Sequence, residues 1–252
     1  SKAALRVIMR QLPHANWVAR FDIKHYYQSM RHDILLNLLH SLGLTGEQRH
    51  LITTFLKSAS NQGRGILAGN AIAPLLGTVM LMPLDRLMMT WRRQKKIIGY
   101  SRYMDDIIIL ASSRWGLKRA IKAFHSVLNS LDLQVHLDQK RMIGKVTAGF
   151  DFLGYQLQRG RKLRLSRQSV RRFHTRLTGL TSKGPQRIRS FVLHWQRAMT
   201  AGLTSLISLQ GGESRAHKRA CYYLQKKVAQ LKGENLKPYR LNDAQRHSAC
   251  KL

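Results

Sequence analysis

The sequence predicts an α+β fold in which a small antiparallel sheet packs against helices and a basic helical region follows. Short β-branched runs, such as the one over residues 107–110, alternate with longer segments of helical periodicity. After residue 166 only helical periodicity is found. Hydrophobic residues make up 44% of the 252 residues, which indicates a folded core and not a disordered basic chain.

The helices before residue 100 are predicted from local signals. Pro13 ends the first helix, because proline lacks the N–H that a helix interior needs. Thr45 and Gln48 have the spacing of a capping box and start the third helix. The fourth is one long, mostly apolar helix with a basic end, which either is solvated or contacts nucleic acid. In chain order these helices span residues 2–12, 32–42, 45–56 and 71–93.

The strands are predicted from short runs of β-branched and aromatic residues. The first strand runs into Asp22, and the next two flank Asp105 and Asp106, so that this pair lies near the tip of a hairpin. The predicted strands are 17–21, 97–98, 107–110 and 133–137, and a second hairpin is formed by 149–157 and 162–165.

The helices of the second half follow from amphipathic spacing and from proline. Leu117, Phe124 and Leu128 fall on one face of the first, together with Ile121 and Leu131. Pro185 marks the first turn of the third, where proline is favoured. These helices span residues 114–131, 166–180, 185–201 and 215–232.

The charge indicates a polyanionic partner. The chain has 44 Lys and Arg against 12 Asp and Glu, a net charge of +32, which favours nucleic acid and, less strongly, a membrane surface. Residues 1–140 have a balance of +12 and residues 141–252 a balance of +20. We therefore expect chemistry in the first part and binding to a phosphate backbone in the second.

Cysteine usage and hydropathy indicate a location inside the cell. Cys221 and Cys250 have no CxxC partner, so a reducing compartment is expected. No apolar run reaches membrane-spanning length, and the first residues do not open a signal peptide. We expect a cytoplasmic protein without a membrane partner.

Asp105 and Asp106 stand side by side in an apolar run of a chain with few carboxylates. An ionised carboxylate in such a setting either becomes neutral or is held by a cation, unless the pair is simply a solvated turn. Asp22, at the end of the first strand, supplies a third carboxylate that can meet the hairpin. In so basic a chain, this convergence points to divalent cations and to phosphoryl transfer.

Three motifs resemble those of reverse transcriptases, specifically the bacterial group with retron, group II intron and diversity-generating retroelement enzymes. They are Phe-Asp-Ile-Lys-His-Tyr-Tyr-Gln-Ser at 21–29, Tyr-Met-Asp-Asp at 103–106 and Gly-Phe-Asp-Phe-Leu-Gly-Tyr at 149–155. The resemblance covers about residues 17–157. It implies a polymerase palm at 17–165, a residual fingers segment at 1–16 and a helical basic thumb at 166–252.

The resemblance also implies roles for single residues. Asp22 and Asp105 would be ligands of two Mg²⁺ ions, with Mn²⁺ able to substitute, assisted by the Ile23 carbonyl and with Asp106 beside them as a further metal-site carboxylate. Tyr27 would be the steric gate that rejects the ribose 2′-OH, or else a core aromatic residue.

Two further family motifs are matched in part, and the first of them contains a departure. Gly69 and Asn70 match motif B, where the backbone approaches the incoming nucleotide, but Ala68 replaces the usual glutamine. We therefore expect weaker discrimination at the nucleotide. Lys140 falls where the family has a general acid for the departing pyrophosphate, or is one more solvated lysine. Residues 152–155 resemble the primer grip, with plain core packing as the rival interpretation.

The predicted activity is RNA-directed DNA synthesis on an RNA template and primer, with an RNA–DNA hybrid and a cognate structured RNA as partners. The basic helix predicted at 166–180 suits a duplex backbone, and Trp195, Tyr222 and Tyr223 either stack on bases or belong to the core. Only 21 residues precede Asp22, which leaves three expectations open: the chain is truncated, a protein partner supplies the fingers, or the protein no longer polymerises. The alternatives are a non-catalytic RNA-binding scaffold and an RNA-templated RNA polymerase, which a bulky Tyr27 argues against.

Overall fold

The computed structural model describes residues 2–59, 62–67, 69–136, 142–180, 184–203 and 205–207. They belong to two compact units, one of residues 3–150 and one that begins at Asp151. The helices are α1 (Lys2–Gln11), α2 (Tyr26–Ser29), α3 (His32–Ser41), α4 (Gly46–Ala59), α5 (Ala73–Met80), α6 (Met82–Arg93), α7 (Arg114–Ser130), α8 (Arg167–Gly179) and α9 (Pro185–Thr200). The strands are β1 (Trp17–Asp22), β2 (Gly99–Tyr103), β3 (Asp106–Ala111), β4 (Met142–Lys145), β5 (Phe150–Phe152), β6 (Tyr155–Leu157) and β7 (Arg164–Leu165).

The first unit is built on a four-stranded antiparallel sheet with the strand order β2-β3-β1-β4. The central pair, β1 and β3, has the register Trp17 to Ala111 at one end and Asp22 to Asp106 at the other. The side chains of β3 from Ile107 to Ala111 are buried. Helices packed on an antiparallel sheet confirm the predicted α+β class.

The two faces of this sheet have different roles. Residues directly opposite each other in an antiparallel pair share a face, and successive residues alternate. Phe21 therefore lies on the face that packs against α7, where its ring stacks on Phe124 with centroids 4.4 Å apart. Asp22, Asp106 and Arg20 lie on the other face. The predicted strand ending in Asp22 is thus confirmed.

Most predicted helices are confirmed, because their signals are local. The capping box of α4 forms as expected: the Thr45 N–H donates to Gln48 Oε1 at 3.0 Å, and the Gln48 N–H donates to Thr45 Oγ1 at 3.4 Å. Leu117, Phe124 and Leu128 are buried along one face of α7. The helix predicted over 215–232 lies outside the described residues.

The single long helix predicted over residues 71–93 is wrong, because the chain forms α5 and α6 with a break at Leu81. Pro83 explains the break, because it lacks the N–H that would donate to the Val79 carbonyl and its ring crowds that carbonyl.

Two strand predictions are also corrected, and one strand was not predicted. In the strand predicted over 133–137, the described residues 133–136 form only an isolated bridge, between Val135 and Ile23. The strand predicted at 97–98 begins instead at Gly99, where an added Cβ would clash with the side chain of Gln11. Strand β4 was not predicted; its short sequence is extended because it pairs with β1.

The second unit contains β6, β7, α8 and α9. Strands β5, β6 and β7 form a small sheet, in which Leu153 and Gly154 both have positive φ and make the turn between β5 and β6. Phe173 on α8 packs against Trp195 on α9, with ring centroids 4.2 Å apart. Trp195 is therefore a packing residue of this unit.

No helix in the described ranges is long and apolar enough to cross a membrane.

Candidate active site

A two-residue turn, Met104 and Asp105, joins β2 to β3, since Tyr103 pairs with Asp106. Met104 has a φ of +57°, a left-handed conformation that is uncommon for a residue with a side chain. The structure therefore places Asp105 on the turn and Asp106 at the first position of β3.

The turn brings Asp105 to Asp22. The Ile23 N–H donates to the Asp105 carbonyl at 3.3 Å, and a side-chain hydrogen bond connects Asp105 with Asp22. Asp22 is only 6% exposed. Two carboxyl groups from residues far apart in sequence thus meet at the end of the β1–β3 pair.

This arrangement changes the protonation of Asp105. Burial raises its pKa, and the charges of Asp22 and Asp106 add to the effect, whereas a backbone hydrogen bond lowers it. A carboxyl group whose charge is disfavoured in this way is stabilised by a nearby cation. The charge distribution is therefore suited to a bound metal ion.

Asp106 faces a different partner. Arg20 donates to Asp106 Oδ1 from Nη2 at 3.0 Å and from Nε at 3.3 Å. Arg20 stands two residues before Asp22, so both side chains lie on the same face of β1, the one opposite to Phe21. The sequence did not predict the pairing of Arg20 with Asp106. The available signal was the spacing of Arg20 two residues before Asp22, which places both side chains on one face of the strand.

The donor set fits Mg²⁺ or Mn²⁺. Among the described residues, no three His, Cys, Asp or Glu side chains lie together as a complete metal site. Asp22 and Asp105 supply two hard carboxylate ligands, and Mg²⁺ is commonly held by one or two carboxylates with substrate phosphates and water. The backbone of Ile23 adjoins the turn, because its N–H donates to the Asp105 carbonyl.

A half-buried ion pair supports the turn between β2 and β3. Arg102 on β2 donates to both carboxylate oxygens of Asp85 on α6, at 3.0 and 2.6 Å, and Tyr100 donates to the same carboxylate at 2.6 Å. Arg102 Nη1 also donates to the Met104 carbonyl at 3.1 Å. Burial lowers the pKa of Arg102, but hydrogen bonding to Asp85 and its charge raise it more. The sequence signal for this network was a single Asp in the mostly apolar segment 71–91.

A cavity of about 230 Å³ opens beside the turn. Tyr27 lies on its wall, and the Tyr27 hydroxyl donates to Met104 Sδ at 3.1 Å. Burial and the charge of Asp105 raise the pKa of Tyr27. Other residues of the wall are Tyr26, Gly77, Thr78, Arg102 and Met104.

The remaining predicted site residues lie in the segment before α5 or outside the described residues. Gly69 is exposed with a φ of +89°, a conformation that favours glycine. Asn70 accepts a hydrogen bond from the Ile72 N–H at 3.2 Å, just before α5. Ala68 and Lys140 lie outside the described residues, so their roles stay predictions.

Comparison with known proteins identifies a family for most of the chain. A family model described as "Reverse transcriptase (RNA-dependent DNA polymerase)" matches residues 2–157. A search of curated proteins finds no match to this sequence.

Two solved structures share the fold. A structure of apo telomerase from Candida tropicalis truncated from its C-terminal domain has a TM-score of 0.53 and 12% identity, over 66% of this chain and 40% of that chain. A structure of apo telomerase from the same organism has a TM-score of 0.54 and 13% identity, over 93% of this chain and 46% of that chain. This chain therefore spans less than half the length of either protein, and at such low identity the likeness concerns the fold alone.

The half-buried pair of Asp85 and Arg102 is expected to matter for stability. Asp85→Ala should lower the free energy of unfolding by about 3 kcal/mol, because it leaves the largely covered charge of Arg102 without its partner. Urea denaturation followed by circular dichroism measures this. Asp33→Ala, which breaks the exposed pair of Arg31 and Asp33, is the matched control and should cost less than about 1 kcal/mol. Equal costs for both variants would contradict the assignment.

The raised pKa of Asp105 predicts a pH-dependent effect of Asp105→Asn in metal-free protein. Below the pKa of the unfolded chain, near 4, Asp105 is protonated in both states and imposes no penalty. As the pH rises through the folded pKa, ionisation destabilises the native state, so the variant should become more stable than the wild type. Urea denaturation in EDTA between pH 4 and 7 tests this, and Mg²⁺ should then stabilise only the wild type. A stability difference independent of pH would be inconsistent with the raised pKa.

Proposed function

Because this chain belongs to the reverse transcriptase family, we propose that it extends a primer with deoxynucleotides on an RNA template. The observation that supports this most directly is the contact of Asp22 with Asp105 at the hairpin turn, beside a cavity whose wall includes Tyr27. The sequence motifs favour the bacterial group of retron, group II intron and diversity-generating retroelement enzymes, acting inside the cell.

In this proposal Asp22, Asp105 and the Ile23 carbonyl hold the metal ions. Two bound Mg²⁺ ions would supply an activated primer hydroxyl and charge stabilisation for the leaving pyrophosphate. Asp106 remains beside them, and its pairing with Arg20 limits the negative charge that the cations must balance. Lys140 would donate the proton to the departing pyrophosphate.

The cavity beside Tyr27 suits the sugar of the incoming nucleotide. Gly77 and Tyr26, which both line the cavity, pack closely against each other. An added Cβ at Gly77 would lie 3.2 Å from the Tyr26 ring, and the Tyr26 hydroxyl donates to the Gly77 carbonyl. Tyr27 is held against Met104, so its ring has a fixed place next to Asp105. A fixed aromatic ring at this position would exclude a 2′-hydroxyl. Ala68, Gly69 and Asn70 would contact the nucleotide from the segment before α5.

The partners in this proposal are an RNA template with its primer, the RNA–DNA hybrid that is formed and a cognate structured RNA. The exposed arginines of α8, Arg167, Arg171 and Arg172, would contact the duplex backbone.

Primer extension on an RNA template with deoxynucleotides and Mg²⁺ tests the proposal. Asp22→Asn and Asp105→Asn should each reduce incorporation about 1000-fold, since each removes a ligand whose charge stabilises the transition state. Asp33→Asn, on exposed α3, is the matched carboxylate control and should retain wild-type activity. Tight, salt-sensitive RNA binding without incorporation by the wild type would favour the scaffold alternative.

Tyr27→Ala should lower the preference for deoxynucleotides over ribonucleotides by at least about tenfold, because the ring that contacts the 2′ position is lost. Tyr27→Phe keeps the ring and should keep the preference. Competing incorporation of radiolabelled dNTPs and rNTPs measures the ratio. Wild-type protein that uses ribonucleotides as readily as deoxynucleotides would instead indicate an RNA-templated RNA polymerase.

A further inference from the structure

A second charged surface lies on the side of the first unit away from the carboxylates. We call it the α6–α7 basic face and define it by Lys95, Lys96, Trp115, Lys118, Arg119 and Lys122. All six residues are exposed. The proposed chemistry does not involve any of them.

The outer side of α7 forms most of this face. Trp115, Lys118, Arg119 and Lys122 are spaced i, i+3, i+4 and i+7, so they follow one stripe of the helix. The opposite stripe is buried at Leu117 and Phe124. The stripe is therefore a surface of fixed shape.

The end of α6 extends the stripe. The first turn of α7 packs against the backbone there, because an added Cβ on Gly116 would lie 3.7 Å from the Lys96 carbonyl oxygen. Lys96 also lies over the ring of Trp91, with Nζ 5.6 Å from its centroid. Lys95 and Lys96 thus adjoin the first turn of α7.

The charge of this face is not balanced locally. The sequence has no Asp or Glu over residues 86–104 or 107–131. Within the described ranges, none of its lysines or its arginine forms an ion pair with a carboxylate. Such a cluster attracts a polyanion.

Trp115 adds a second recognition element. Its side chain is 73% exposed, an unusual position for so large an apolar group, and Lys118 Nζ lies 5.3 Å from its ring centroid. An exposed indole flanked by cations can stack on an unpaired base while the cations contact phosphates. The bases of a duplex are already stacked, so this combination favours a single strand.

The face is separate from the candidate active site. Helix α7 covers the sheet face that contains Phe21, whereas Asp22 and Asp106 lie on the opposite face. The first turn of α7 also follows the far end of β3, about 17 Å along the strand from Asp106. We infer that the α6–α7 basic face binds single-stranded nucleic acid at a site distinct from the one that would hold the template and primer.

Fluorescence anisotropy with a labelled uridine oligonucleotide of about a dozen nucleotides tests this inference with the full chain. EDTA is present and nucleotides are absent, so a failure of catalysis would not affect the result. Trp115→Ala should weaken binding about tenfold with an unchanged salt dependence, and Trp115→Phe should restore most of the affinity. Lys118→Ala with Lys122→Ala should lower the slope of log affinity against log salt by about 1.4.

Arg49→Ala with Lys57→Ala on exposed α4 is the control of equal charge and should leave the slope unchanged. The inference would be overturned if this control lowered the salt slope as much as the Lys118 and Lys122 variant does. It would also be overturned if Trp115→Ala weakened binding to an RNA duplex as much as binding to the single strand. A variant of this face that loses binding to anionic phospholipid vesicles but keeps binding to the uridine oligonucleotide would also overturn the inference. That result would assign the face to a membrane. The same measurement with a thymidine oligonucleotide identifies the kind of nucleic acid. If Trp115→Ala weakens binding to both oligonucleotides, the face binds any single strand. If it weakens binding to the uridine oligonucleotide alone, the face is specific for RNA.

Discussion

The antiparallel register between β1 and β3 is the constraint on which the candidate site depends. It sets Asp22 opposite Asp106 and places the turn residue Asp105 next to both. Because side chains alternate along a strand, a slip of one residue would move Asp22 to the face that packs on α7 and bring Phe21 to the opposite face. The stacking of Phe21 on Phe124 therefore stabilises the same register that brings the carboxylates together.

Carboxylates are few in this chain, and those near the site have distinct electrostatic environments. Asp85 is paired with Arg102 and helps to hold the turn, and Asp106 is paired with Arg20. Asp22 and Asp105 contact each other, and burial raises the pKa of Asp105. The ion pairs fix the geometry, whereas the carboxyl pair retains the negative charge that would attract a divalent cation.

The sheet separates two kinds of nucleic-acid chemistry in our proposals. One face presents buried carboxylates for phosphoryl transfer, and the α7 side presents exposed cations and an indole without carboxylates. A strand that approaches the active site would be repelled by Asp22 and Asp105 unless metal ions were bound. A strand on the α6–α7 basic face needs no metal ion. The same excess of positive charge can thus serve binding without interfering with catalysis.

The sequence by itself determined the α+β class, most helices, the hairpin around Asp105 and the family, because these depend on local periodicity, capping residues and contiguous motifs. Pro83 is a local signal for the break at Leu81. Only the tertiary structure decided that Arg20 holds Asp106 and that Asp85 holds Arg102. These pairs join residues 86 and 17 positions apart, and their energy depends on which strands and helices become neighbours. No local pattern encodes that distance, so the charge of each partner was visible in the sequence but its contact was not.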